Sequence, residues 1–123
     1  MELLTTVIAR VLFSIPFLVF GLMHFMNAKA MAGIVPTWLP GGAAWVYITG
    51  VFLVAAGVSI ITKRQGALAC KLLAILLTLF ILTVHLPGLS TPHAQMSMIG
   101  LLKDVGLVGG ALLLAGIFDS ETA

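Results

Sequence analysis

The chain has 123 residues, of which 61% are hydrophobic and 8% charged, with a mean hydropathy of +1.22. That composition excludes an ordinary soluble globular domain. The formal net charge of +2 is too small and too dispersed for a nucleic-acid-binding protein, and the lone Cys70 excludes both an internal disulfide and a Cys-x-x-Cys redox centre.

Four apolar stretches each approach the ~20 residues that a helix needs to cross a bilayer. The first runs from Leu3 to Met26, with Arg10 inside it and Pro16 expected to kink it. Glu2 before the apolar run and Arg10 within it make a poor signal peptide, so a retained transmembrane helix is expected. Segment 27–42 is rich in Pro and Gly and carries Trp38; Trp38 and Trp45 suit interfacial anchoring. The second span covers Ala43 to Ile61, and Thr-Lys-Arg-Gln-Gly at 62–66 forms a tight basic turn. The third span covers Ala67 to Leu86, with Lys71 in its first turns. Segment 87–96 is again rich in Pro and holds His93. The fourth span covers Ser97 to Phe118; Lys103 and Asp104 lie in its early turns, and Gly106 and Gly110 have the spacing of a close helix approach. The expected fold is an all-α membrane protein, one domain over residues 1–123 forming a four-transmembrane-helix bundle.

The halves echo each other. Arg10 precedes His24 by 14 residues, and Lys71 precedes His85 by 14. Gly50 and Gly57 are seven apart, as are Gly109 and Gly116, and each pair closes on Ala-Gly. Two repeated helical hairpins would give this pattern. Four spans put both termini on one side with Arg10, Lys63, Arg64 and Lys71, leaving Lys29 and Lys103 toward the other; the positive-inside rule then places the termini in the cytoplasm.

Polar groups just inside a bilayer are costly, which makes them functional candidates. His24 closes the first span, with Asn27 one turn later; His85 closes the third; Asp104 enters the fourth from the same side. Histidine exchanges protons near neutral pH, and an acid beside it fixes its tautomer or takes its proton. His24, His85 and Asp104 are therefore candidate catalytic residues, and His24, Asn27, Trp38 and His85 candidate cofactor-binding residues. Each also has a structural reading: a histidine at headgroup level, or an aspartate favoured by a helix N-terminus. Arg10 either snorkels to lipid phosphates or holds an internal partner. The methionines near the same end (Met23, Met26, Met31, Met96, Met98) suit packing better than copper ligation, and no metal site is expected.

Arg10 leads to Gly21-Leu-Met-His24, then to Pro36 and Leu39-Pro40; Thr49-Gly50 runs to Gly57; Leu102-Lys103-Asp104 leads to Gly109-Gly110-Ala-Leu-Leu-Leu-Ala115. In these motifs the chain resembles the DoxX family of small four-helix bacterial membrane proteins. The chain departs from the family where many members carry a glutamate after the second-span glycine, since Val51, Phe52 and Leu53 stand here. The resemblance implies a bacterial inner-membrane protein working near membrane quinones, as a subunit or accessory of a quinone-linked oxidoreductase, with a redox protein as partner.

On that reading a polar pocket near the outer face takes a quinone headgroup. No flavin, haem or iron–sulfur ligation pattern is visible, so the electron source is the substrate or a partner protein. Two other functions suit the residues: a site for a lipid or small amphipathic ligand, or a membrane scaffold for a partner protein or a second copy. Proton-coupled export is disfavoured because Glu2 and Glu121 are terminal and no carboxylate lies deep in a span.

Overall fold

The computed structural model describes residues 3–122. Among these it is all-α, and four helices are long and apolar enough to cross a membrane: Leu4–Met26, Ala43–Thr62, Gly66–Gly88 and Ala94–Ser120. The chain is thus of multi-pass membrane type. Large apolar side chains such as Leu12, Ile48, Ile99 and Leu113 point outward, the last 75% exposed, as expected where the solvent is lipid. Contacts gather into two units, the first ending at Ala69 and the second starting at Cys70.

In the first unit a π-helical turn, Leu4–Ile8, leads into α1 (Ala9–Met26), which continues through Pro16. Asn27 ends it: its backbone leaves the helical region (φ −122°, ψ 25°), while its main-chain N–H and its side-chain amide both donate to the Met23 carbonyl, at 2.9 and 3.0 Å. The segment expected to be only a loop contains helical turns, α2 (Ala28–Met31) and a 3₁₀ turn, Ala32–Ile34. Alanine and methionine are strong helix formers, and helix stops only where Pro36 forces Val35 into the extended region (ψ 132°). Gly41 (φ 113°) and Gly42 (φ 44°) then turn the chain into α3 (Ala43–Thr62), with the Trp45 indole donating to the Pro40 carbonyl.

Helices α1 and α3 pack antiparallel on small residues. A Cβ on Gly21 would stand 2.5 Å from a Val54 methyl and 2.9 Å from the Gly50 carbonyl; one on Gly57 would stand 2.7 Å from Leu18. The absence of these side chains lets the backbones approach. Phe17, Leu53, Ala56 and Ile60 are buried. At the end of α3, Lys63 (φ 62°) and Gln65 (φ 54°) take left-handed conformations usually given to glycine, a cost of about 1–2 kcal/mol each that closes the turn into α4 (Gly66–Phe80).

In the second unit α4 buries Cys70, Leu73, Ala74 and Leu77, a single stripe at helical spacing. It continues through a π-helical turn, Ile81–His85, into the short α5 (Leu86–Gly88). Helix α6 (Ala94–Thr122) buries Asp104, Ala111, Ala115 and Phe118 along one face. It starts three residues earlier than expected. Lys71 Nζ lies 2.9 Å from Asp119 Oδ2, tying the start of α4 to the end of α6 and fixing the pair as antiparallel.

The sequence echo between the hairpins does not extend to their contacts. Gly50 and Gly57 are seats for α1, whereas a Cβ on Gly106, Gly109 or Gly116 would meet nothing within 4 Å. We therefore expect Gly21→Ala to destabilise the protein by about 1–3 kcal/mol through overpacking. Gly106→Ala should be neutral or stabilising, because alanine is the better helix former. Thermal unfolding in detergent measures both; equal losses would overturn the assigned α1–α3 contact.

Candidate functional site

The candidate site is built where the third span ends against α6. Pro87 has no N–H, so the Thr83 carbonyl one turn before it lacks its usual helical donor. The hydrogen-bond ladder widens there, and the Leu86 N–H donates to the Ile81 carbonyl five residues back. Such π-helical turns recur at functional sites. His85 is the last residue of this one.

The imidazole of His85 rests on Gly100 of α6. A Cβ at Gly100 would lie 2.6 Å from His85 Cε1 and 2.8 Å from Nδ1, so the ring occupies the space a side chain would need. A Cβ at Gly88 would likewise overlap the Ser97 side chain. Ser97, Gly100 and Asp104 recur at three- and four-residue spacing and share one face of α6. Two glycines thus bring the end of the third span against that face.

Asp104 receives the histidine. His85 Nε2 lies 2.9 Å from Asp104 Oδ2, and Lys103 Nζ lies 3.4 Å from Oδ1. The Asp104 side chain is only 3% exposed and that of His85 19%. An unpaired charge at such a site would be strongly unfavourable; here each carboxylate oxygen has a nitrogen partner. A carboxylate accepts, so Nε2 carries the proton. In neutral His85 the lone pair is then on Nδ1, and protonation converts Nδ1 into a donor. The arrangement is an imidazole whose tautomer and orientation are set by a buried acid.

His24 is held differently. Its Nδ1 lies 2.6 Å from the Phe20 carbonyl, which can only accept, so Nδ1 carries the proton and Nε2 the lone pair. Gly50 accommodates it from α3, where a Cβ would stand 3.0 Å from the His24 Cβ. Asn27 is spent on capping α1. Trp38 is 72% exposed in the loop before α3. The residues singled out in the sequence therefore fall in two sets: His24, Asn27 and Trp38 in the first unit, His85 and Asp104 in the second. A side-chain hydrogen bond joins His85 to Asp104, and the two histidines hold opposite tautomers.

Sequence reasoning passed over Lys103 as a site residue, and Gly88, Ser97 and Gly100 altogether. Gly100 could have been found from its spacing, one helical turn before the acid in the early turns of the fourth span. His93 is exposed, its backbone N–H held by the Thr91 hydroxyl at 3.1 Å. No group of three or more His, Cys, Asp or Glu residues that could hold a metal ion occurs among the described residues.

We expect Gly100→Ala to push the imidazole from its seat and break the Nε2–Oδ2 hydrogen bond. The ring ¹⁵N shifts of His85 would then lose their fixed-tautomer signature while those of His24 stay unchanged. Asp104→Ala, which removes a hydrogen bond to a charged group, should cost about 2 kcal/mol in unfolding.

The family model described as a domain of unknown function (DUF8561) matches residues 13–97. No curated protein matches the chain, and no solved structure does. The matched region includes His24, Asn27, Trp38 and His85 but ends before Gly100 and Asp104. Since it spans well over half of the sequence, the chain belongs to the DUF8561 family.

Proposed function

We propose that the protein is an integral membrane subunit or accessory of a quinone-linked oxidoreductase, and that His85 and Asp104 engage the quinone headgroup. The observation that carries this reading is the buried carboxylate holding a partly exposed imidazole, at the end of an apolar span. A quinone needs hydrogen bonding at its carbonyls and an apolar path for its tail. Protonated His85 donates to a carbonyl. Neutral His85 accepts a proton from a quinol hydroxyl at Nδ1, giving an imidazolium whose other N–H is already bonded to Asp104.

Reduction of the quinone to the quinol takes up two protons and two electrons. Protonated His85 supplies one proton from Nδ1 and water the other, while the electrons come from the substrate or a partner redox protein. This chain's part is to bind, orient and exchange the proton. The resemblance to DoxX proteins supports the quinone assignment, although no comparison connects the chain with that family. We further place it in a bacterial inner membrane with cytoplasmic termini, because Arg10, Lys63, Arg64 and Lys71 outnumber Lys29 and Lys103.

The test is titration of nanodisc-embedded protein with ubiquinone and menaquinone analogues. Saturable binding is expected for the wild type, with at least a tenfold loss in His85→Ala, about the contribution of one charge-assisted hydrogen bond. Saturable binding of an uncharged amphipathic lipid but of neither quinone would overturn the assignment in favour of a lipid site.

A further inference from the structure

The first unit holds a guanidinium, that of Arg10, with no carboxylate among the unit's described residues. Arg10 lies six residues beyond Leu4, about 9 Å along the helix from the start of the first span. Its Nε is buried and lacks a hydrogen-bond partner. The hydroxyl one turn on, Ser14 Oγ, donates to Arg10's own carbonyl at 2.9 Å. Between residues 3 and 69 the chain contains neither Asp nor Glu, so no described side chain of this unit can neutralise Arg10. Of the two alternatives raised by the sequence, an internal partner therefore finds no support within the unit.

The antiparallel register shows what stands level with Arg10. The Ser14 carbonyl faces Gly57, where a Cβ would lie 3.4 Å from it. One turn back on α1 is Arg10; one turn forward on α3 is Ile60–Ile61, followed by the left-handed Lys63 and the exposed Arg64. A guanidinium emerging from an apolar helix pair thus lies within about one helical turn of a second arginine on the turn.

We propose that Arg10, reinforced by Arg64, binds the phosphate of an anionic phospholipid headgroup at this end of the first hairpin. A guanidinium presents its donors in a planar fork that matches phosphate oxygens. The bilayer supplies such oxygens at the depth an arginine reaches by extending toward the interface. Among the described residues of the unit, 3–69, composition leaves no carboxylate to compete for it. The site commits to a lipid rather than free phosphate, because Arg10 is set in an apolar span whose outward side chains meet acyl tails.

Native mass spectrometry of the full chain released from detergent tests this. Phosphatidylglycerol and phosphatidylcholine of identical chains would be offered as competitors, with inorganic phosphate as a third arm. The wild type should retain phosphatidylglycerol preferentially. Arg10→Gln and Arg64→Gln should each reduce that preference about five-fold, the weight of one basic residue at an anionic surface. Arg10→Lys keeps the charge but loses the fork, and should fall between wild type and Arg10→Gln; it also reads the contact if the glutamine variant does not fold. No preference in the wild type, an unchanged preference in the Arg10 variants, or displacement of the lipid by millimolar inorganic phosphate would overturn the proposal.

Discussion

A charged group inside an apolar span must find a counter-charge, and Asp104 organises the second unit around that requirement. Its two oxygens take His85 and Lys103, one from the end of the third span and one from its own helix. To bring the imidazole there, the ladder must widen before Pro87 and α6 must offer glycine at position 100. Both are local departures from ideal helix that packing alone would not demand. They become intelligible once the carboxylate is the fixed point and the rest adjusts to it.

The hairpins solve their packing by different means. The first uses backbone proximity: Gly21, Gly50 and Gly57 remove the side chains that would hold α1 and α3 apart. The second uses charge at both ends, with Lys71–Asp119 at one and His85–Asp104 at the other, about 22 Å apart along α6. Lys71 and Asp119 are both half exposed, so their net contribution is small and salt-sensitive; Asp104 is buried, and its pairing matters far more. Similar hydrophobic runs with similar glycine spacing thus conceal two unlike sets of contacts.

The four spans were legible because hydropathy and length alone constrain a membrane helix, and their ends differ from expectation by at most three residues. The helical turns in 28–34 were not, since a stretch between prolines and glycines reads as loop although Ala-Lys-Ala-Met favours helix. Asp104 and His85 stood out as costly residues at one depth, but their contact depends on helix rotation, which spacing leaves open. The equivalence of His24 and His85 suggested by the 14-residue echo fails at the level of hydrogen bonds, because one ring nitrogen of His24 is claimed by its own helix. Lys103 entered the sequence reading through the topology count and the Leu102-Lys103-Asp104 motif, although its Nζ also lies 3.4 Å from Asp104 Oδ1.

The π-helical turn at Ile81–His85 is, in effect, one surplus residue accommodated within a helix. Each residue of an α-helix advances the face by about 100°. A chain that lost a single residue upstream and reverted to regular helix would still span the bilayer with much the same hydropathy, yet its imidazole would swing away from α6. Membrane insertion and the histidine–aspartate contact therefore answer to separate constraints: the first tolerates small changes in helix length, while the second depends on angular phase.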